Sequence, residues 1–277
     1  MPRLGPATST TTRRNWLSRL AALPNDSPKK TLFVALVLCI VCSVAVASAA
    51  VFLRPLQERN KALAMKTEIL KVAGLYERGQ NVDTLFKNID ARIVDLATGA
   101  YVEDMSAADY DQREAARDSQ RSIAIAPEDD IARLLTRAKY APVYIVRANN
   151  QIETIVLPVH GYGLWSTMYA FVALNADGRT IKGVSFYEHG ETPGLGAEVE
   201  NPKWRASWKG KEALAEDGRV LFKVKKGQVE PGTPEADYAV DGLSGATLTA
   251  QGVTNLMRYW LGKQGFGPYL ARLRAEH

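Results

Sequence analysis

The segment from Asp241 to Thr249 has residue types and spacing suited to a covalent attachment site. Small residues surround Thr247, and a pattern close to the 3.6-residue helical period begins directly after it. Its apolar members are Leu248, Val253, Leu256, Met257, Trp260 and Leu261. A phosphate on the Thr247 hydroxyl would meet free backbone N–H groups and the positive end of that helix. Because no base lies beside Thr247 in the chain, we expect a second enzyme to form such a bond.

A simpler interpretation of the same segment is helix capping. Ser and Thr side chains commonly accept hydrogen bonds from the first amides of a helix, so Ser244 or Thr247 could serve only as a cap. A motif this short leaves both interpretations open, and other parts of the chain must decide between them.

One uncharged stretch, Thr31–Leu53, is unlike the rest of the chain. As a helix it would extend about 34 Å, enough to cross a bilayer core with some tilt. Two other targeting interpretations exist: a cleaved signal peptide, because Ala47-Ser48-Ala49 resembles a cleavage site, and twin-arginine export through Arg13-Arg14. A long preceding tail and the continuation of the apolar run favour a retained transmembrane helix.

The distribution of charge argues against a nucleic-acid partner. Six of the 35 basic residues and one of the 30 acidic residues precede the apolar stretch, so 29 of each remain beyond it. A balanced domain offers no positive surface for a phosphate backbone. The basic tail suits an anionic cytoplasmic membrane face, although similar numbers of basic residues flank both ends of the stretch and leave its orientation open.

Cysteine and histidine usage limits the chemistry of the remaining domain. Both cysteines, Cys39 and Cys42, lie inside the apolar stretch, where two sulfurs are too few for a tetrahedral metal site and suit small apolar positions. The three histidines, His160, His189 and His277, are poorly placed for a metal site or a hydrolase. Redox chemistry in this domain would therefore need an organic cofactor.

Periodicity beyond the apolar stretch predicts an α+β domain with a mainly antiparallel sheet flanked by helices. A helix is expected over Pro55–Val72, ending at Gly74, followed by short helical stretches at Val82–Ile89 and Ile131–Leu135. Strands are expected at 143–146, 152–159, 169–174, 180–187 and 219–224, and helices at 197–210 and 248–262. The predicted organisation is a basic cytoplasmic tail (1–30), a transmembrane helix (31–53), a mixed helical region packing on the domain (54–140) and a ligand-binding domain (141–277).

Two glycine-rich connections lie within the predicted sheet region, at Gly161–Thr167 and His189–Gly196. Glycine permits positive φ and a close approach of backbone to ligand, so each connection could hold a flat ring or a sugar-like chain. Clusters of Gly and Pro are also common in ordinary turns.

Two parts of the sequence resemble known flavoproteins. Asp241 followed by Ser244-Gly245-Ala246-Thr247 resembles the flavinylation motif of the FMN-binding domain family, in which the last threonine carries FMN through a phosphodiester. The longer run Phe186–Pro202, with the Gly163–Ser166 segment before it, resembles the C-subunit family of the sodium-translocating NADH:quinone oxidoreductase.

This resemblance implies a membrane-anchored subunit with covalent FMN outside the cytoplasmic membrane. It would relay electrons between the other members of an assembly of six subunits in the cell inner membrane that oxidises NADH, reduces ubiquinone and pumps sodium. The chain would not be catalytic alone. It has no dinucleotide-binding fingerprint and no ionisable residue in the apolar stretch, so neither NADH binding nor a sodium path can be assigned to it.

The resemblance also implies roles for individual residues. Thr247 would tether the phosphate, and Asp241 and Ser244, with Gly245 and Ala246, would present the loop to a flavin transferase; turn formation is an equal alternative for Asp241. The residues expected along the isoalloxazine are Thr192, Gly194, Leu195 and Gly196, with Trp165 and its neighbours Gly163, Leu164 and Ser166 as weaker candidates. Lys223 and Lys225 would offset the phosphate charge or form a solvated strand face.

Two alternatives to this function remain. One is the G subunit of the Rnf-type ferredoxin:NAD oxidoreductase, which shares both motifs, although the length of this chain and the Phe186–Pro202 run favour the quinone-reductase family. The other, from a different class, is a membrane-anchored flavin-binding sensor or adaptor without turnover.

Overall fold

The computed structural model describes residue 24, residues 27–77 and residues 79–276. Most of the predicted basic tail, including Arg13 and Arg14, lies outside the described residues, as does His277. The described residues up to Lys61 belong to one unit, and the described residues from Ala62 onward belong to a second.

The first long element, helix α1 (Pro28–Val72), contains the whole uncharged stretch. In the part of the chain that the structure describes, it is the one helix long and apolar enough to cross a membrane. Its side chains along that stretch are largely exposed. The prediction that the helix ends at Gly74 is confirmed: Gly74 has a φ of +76°, and the Leu75 N–H donates to the Leu70 carbonyl at 2.9 Å. This positive-φ glycine and hydrogen-bond pattern form a Schellman end.

The centre of the second unit is a six-stranded sheet in which every neighbouring pair is antiparallel. This confirms the predicted fold class. In spatial order its strands are β2 (Tyr101–Val102), β1 (Ile89–Asp95), β5 (Tyr140–Ala148), β6 (Gln151–Tyr162), β7 (Thr167–Asn175) and β8 (Ile181–Glu188). Two-stranded pairs join β3 (Ser122–Ala124) to β4 (Thr136–Ala138) and β9 (Lys223–Val224) to β10 (Ala239–Val240).

Helices cover both faces of this sheet. The other helices are α2 (Val82–Phe86), α3 (Gln112–Arg117), α4 (Pro202–Ala206), α5 (Thr247–Leu261) and α6 (Gly267–Glu276). The larger core contains Val253, Leu256 and Trp260 of α5, and the Trp260 indole N–H donates to the His160 carbonyl on β6 at 2.6 Å. The smaller core, on the other face, contains Ile69 and Leu70 from the end of α1. Each fully buried aliphatic side chain stabilises the fold by about 1.5–3 kcal/mol.

The turns between the central strands follow the sequence closely. Asn149 and Asn150 connect β5 to β6 with φ angles of 51° and 64°, both in the left-handed region that Asn tolerates. Gly178 has a φ of 61° in the β7–β8 turn, which is closed by the Asn175 N–H donating to the Thr180 carbonyl at 2.9 Å. These turns join the predicted strands 143–146 and 152–159, and 169–174 and 180–187, as two antiparallel hairpins.

Several features of the structure differ from what the sequence predicts. Strand β1 was not predicted, although it pairs with β5 along its whole length. Ile131–Leu135 is not helical, because Asp130 accepts the Leu134 and Leu135 amides at 2.7 and 2.8 Å and holds a turn instead. The helix expected at 197–210 is a 3₁₀ turn (Gly196–Glu200) followed by the short α4. The strand expected at 219–224 is limited to Lys223–Val224.

Candidate functional site

Thr247 is the first residue of helix α5, and its side chain is exposed. The N-cap position is Ala246, and no side chain caps the helix. The first helical amides therefore lack a capping partner, which differs from the simpler interpretation in which Ser244 or Thr247 caps the helix. This end of α5 combines an accessible hydroxyl with backbone donors suited to an anion.

The loop before Thr247 is held against the 225–229 loop. The Asp241 carboxylate accepts the Val229 N–H at 2.7 Å, and the Gly242 N–H donates to the Gly227 carbonyl at 2.7 Å. A Cβ on Gly242 would lie 2.4 Å from the Lys225 carbonyl oxygen, so a side chain does not fit there. Asp241 thus organises the loop, which is the role that the sequence left as an equal alternative.

A buried carboxylate joins the two glycine-rich connections. Glu191 is only 5% exposed, and its Oε1 accepts the amides of Leu164, Trp165 and Ser166 at 3.1, 3.0 and 3.3 Å. The Ser166 hydroxyl also accepts the Gly190 N–H at 2.6 Å. The 163–166 segment and the 189–196 segment therefore form one assembly rather than two independent turns.

The same carboxylate reaches helix α5. Its Oε2 accepts the Thr249 hydroxyl at 2.6 Å, and Thr249 is 1% exposed in the first turn. A Cβ on Gly196 would lie 2.7 Å from the Thr249 Oγ1, and a Cβ on Gly163 would lie 2.5 Å from the Glu191 Oε1. Both glycines are needed for this close approach, so the sequence candidates Gly163 and Gly196 are packing positions.

Four exposed apolar side chains lie at the start of α5 or on the segments connected to it. The exposed fractions of Leu164, Trp165, Leu195 and Leu248 are 37%, 65%, 43% and 62%. Leu164 and Trp165 lie on the 163–166 segment, Leu195 lies on the 189–196 segment, and Leu248 lies in the first turn of α5. We call these four residues the apolar wall. Leu248 was expected on the buried face of α5, but it faces solvent next to Thr247.

The remaining sequence candidates divide into accessible and buried positions. Thr192 and Gly194 are exposed, and a Cβ on Gly194 would meet no atom within 4 Å, so space is open beside this loop. Ser244 and Gly245 are exposed before Thr247, whereas Ala246 is buried. The accessible positions can contact a ligand, and Ala246 can contribute only through its backbone.

Lys223 and Lys225 are already paired. Their ammonium groups lie 2.5 and 2.8 Å from the two carboxylate oxygens of Glu235. These hydrogen bonds raise the pKa of Lys225 and lower the pKa of Glu235. The pairing favours a structural role for both lysines over the neutralisation of a bound phosphate.

Glu191, Thr249 and Leu248 are the site residues that sequence reasoning did not assign. Glu191 stands in the Phe186–Pro202 run, but nothing in the sequence indicates that its carboxylate turns inward to three amides 25–27 residues earlier. Thr249 looks like an ordinary helical threonine.

The chain is similar to known proteins in both sequence and structure. A sequence model of the FMN-binding domain family matches residues 163–262, which include all three site segments. The C subunit of the Na(+)-translocating NADH-quinone reductase from Vibrio alginolyticus is 49% identical over 251 residues, covering 90% of this chain and 96% of that protein. The C subunit from Pseudomonas aeruginosa is 47% identical over 253 residues, covering 90% and 97%. The crystal structure of Shewanella oneidensis NqrC superposes with a TM-score of 0.69 at 37% identity, covering 76% of this chain and 96% of that one.

Proposed function

Because this chain belongs to the C-subunit family of the Na+-translocating NADH-quinone reductase, a membrane oxidoreductase complex, we propose that it carries FMN covalently on Thr247 and relays electrons within that complex. The observation that carries the attachment is the exposed Thr247 hydroxyl at the uncapped start of α5. The free amides of that turn and the helix dipole favour a phosphate diester at this position.

The shape and chemistry of the site suit the rest of FMN. An isoalloxazine is flat and largely apolar, and the apolar wall offers it Trp165, Leu195 and Leu248 within one assembly. The open space beside Gly194 leaves room for the ring or the ribityl chain. When bound, FMN supplies the one-electron chemistry that the domain's own side chains lack.

The formation of the tether requires another enzyme. A threonine hydroxyl needs a base to act as a nucleophile, and none of the described hydrogen bonds joins Thr247 to a carboxylate or an imidazole. We propose that a flavin transferase supplies a flavin nucleotide whose phosphate is activated as a diphosphate. As the Thr247 Oγ1–phosphorus bond forms, the bond from that phosphorus to the bridging diphosphate oxygen breaks, a nucleoside monophosphate leaves, and the transferase accepts the hydroxyl proton. Asp241 and Gly242 hold the Ser244–Thr247 segment outward for that enzyme.

In the proposed topology, α1 crosses the inner membrane and places the FMN domain on the periplasmic side. A tethered cofactor cannot be lost to the medium there, so the domain does not depend on affinity to retain it. The oxidation of NADH, the reduction of ubiquinone and the path of sodium belong to the other five subunits. Identities of 47–49% with C-subunit proteins favour this assignment over the Rnf G subunit and over a sensor or adaptor.

Intact mass and in-gel flavin fluorescence test the attachment. The full chain is produced with and without its flavin transferase, beside Thr247→Ala and the control Thr98→Ala, which removes an exposed threonine hydroxyl from the β1–β2 turn outside the site. We expect one FMN adduct in the wild type and the control, and none in Thr247→Ala. An adduct that persists in Thr247→Ala would place the tether elsewhere, and an unmodified wild type with active transferase would overturn the relay.

Cysteine labelling tests the topology. Glu216 has a side chain that is 92% exposed, so Glu216→Cys in a Cys39→Ala, Cys42→Ala background provides one accessible thiol. A membrane-impermeant maleimide should label this thiol in intact spheroplasts. Labelling only after lysis would place the domain in the cytoplasm.

A further inference from the structure

The buried carboxylate of Glu191 contacts both the 164–166 segment and the first turn of α5. It accepts hydrogen bonds from three consecutive amides on one side and from Thr249 on the other. Burying a carboxylate is unfavourable unless donors replace its water. Four donors satisfy this one, so its position is fixed.

Its contacts connect the tether to the apolar wall. Thr249 lies two residues after Thr247 in the same helical turn, and Leu164 and Trp165 are wall residues held through their amides. Leu195 follows Glu191 on the same connection. One carboxylate therefore links the helical turn that carries Thr247 directly to two of the four wall residues, and to a third through the 189–196 connection.

We propose that Glu191 is a positioning residue that holds the apolar wall in register with Thr247, so that flavin attached at Thr247 has one orientation. This inference rests on the proposed function. Glu191 touches neither the hydroxyl to be modified nor the solvent-facing side of the wall, so its loss leaves attachment possible. Without it, the flavin remains bound but loses its fixed orientation.

Four substitutions separate this role from a general contribution to folding. Glu191→Ala removes all four acceptor contacts, whereas in Glu191→Gln the amide oxygen can accept the three N–H groups and the amide nitrogen can donate to Thr249. Thr249→Val removes only the contact to α5, and Thr249→Ser restores the hydroxyl. Thr254→Val is the matched control, because Thr254 is a buried threonine on the same helix that accepts the Val224 N–H at 3.0 Å.

The experiment uses the full chain, made with its flavin transferase and purified in detergent. Covalent FMN is counted by intact mass, and the orientation of the ring is followed by the visible circular dichroism and fluorescence of the flavin. We expect about one FMN per chain in every variant. The dichroism should fall by roughly half or more in Glu191→Ala and Thr249→Val, because a loosened support shell lets the ring move. Glu191→Gln, Thr249→Ser and Thr254→Val should match the wild type.

Each outcome has a defined meaning. Wild-type dichroism in flavinylated Thr249→Val and Glu191→Ala overturns the positioning role, and so does an equal loss in Thr254→Val. If Glu191→Ala does not fold, the Thr249→Val and Thr249→Ser pair decides alone. An absence of FMN from the wild type overturns the proposed function itself. The mass measurement detects that absence, whereas a loss of orientation changes the dichroism and leaves the mass unchanged.

Discussion

Leu195 lies directly against Gly245: a Cβ added to Gly245 would lie 2.8 Å from the Leu195 Cδ2. The Ser-Gly-Ala run before Thr247 therefore packs against Leu195, the apolar wall residue of the 189–196 connection. Gly245 also has a φ of +70°, a conformation that L side chains rarely adopt. Glycine at this position meets two requirements together, a left-handed backbone and contact with the wall.

Gly245→Ala should therefore impair FMN attachment. Left-handed backbone costs a non-glycine residue about 1–2 kcal/mol, and the new methyl group must also displace Leu195. Gly232→Ala is the matched control, because Gly232 has a φ of +79° and open space around it. Both variants should lose stability in denaturant unfolding, but only Gly245→Ala should show a reduced FMN adduct by intact mass. Equal flavinylation in the two would mean that the Gly245–Leu195 contact is not required for attachment.

Trp165→Ala tests the apolar wall. Aromatic ring pairs gain about 0.5–1.5 kcal/mol, so loss of the indole should reduce the stacked population about 2- to 10-fold. The fluorescence of the attached flavin should rise, and the thermal midpoint should barely change because Trp165 is largely exposed. Leu135→Ala provides the control, since Leu135 is 77% exposed on a different loop. Unchanged flavin fluorescence in Trp165→Ala would remove this residue from the ring site.

Gly252→Ala should destabilise the domain despite its helical position. Alanine normally improves a helix interior by about 1 kcal/mol relative to glycine. Here a Cβ would lie 2.6 Å from the Tyr162 carbonyl oxygen and 3.0 Å from the Gly163 Cα, so α5 must move away from β6. Overpacking of this kind costs about 1–3 kcal/mol. Urea unfolding followed by tryptophan fluorescence, with the exposed neighbour Gln251→Ala as control, should show a loss in Gly252→Ala alone.

The sequence was most informative where local chemistry decides the structure. The two hairpin turns contain Asn149-Asn150 and Asp177-Gly178, because such turns need residues that tolerate positive φ. The start of α5 at Thr247 followed from periodicity. Strand β1 was missed because pairing with β5, which begins 51 residues later in the chain, determines it more than its own pattern does.

The contacts between the segments of the site could not be predicted from sequence patterns. Glu191 and Thr249 are 58 residues apart, and their hydrogen bond exists only because β6, β7 and α5 bring the connections together. Exposure of Leu248 was also missed, since helical periodicity marks it as a core position although it lies at the very start of the helix. Such features depend on tertiary packing, which one sequence does not reveal.

His160 should make the stability of the domain depend on pH below about 6.5. Burial lowers the pKa of this imidazole to about 3, and the nearby Arg113 guanidinium adds to the effect. The Arg113 guanidinium carbon lies 3.4 Å from the centre of the Tyr169 ring, which also stacks on the His160 ring with ring centres 5.4 Å apart. The unfolded chain therefore binds a proton below pH 6.5 that the folded chain does not, and the free energy of unfolding falls as the pH drops through this window.

Between pH 6 and pH 4 the free energy of unfolding of the wild type should fall by roughly 2–3 kcal/mol more than that of His160→Gln, while above pH 7 the two stability curves should run parallel. Urea unfolding of the detergent-solubilised chain at several pH values measures the difference, in which the contributions of carboxylates cancel. Curves that stay parallel down to pH 4 would show that His160 is protonated in the folded domain.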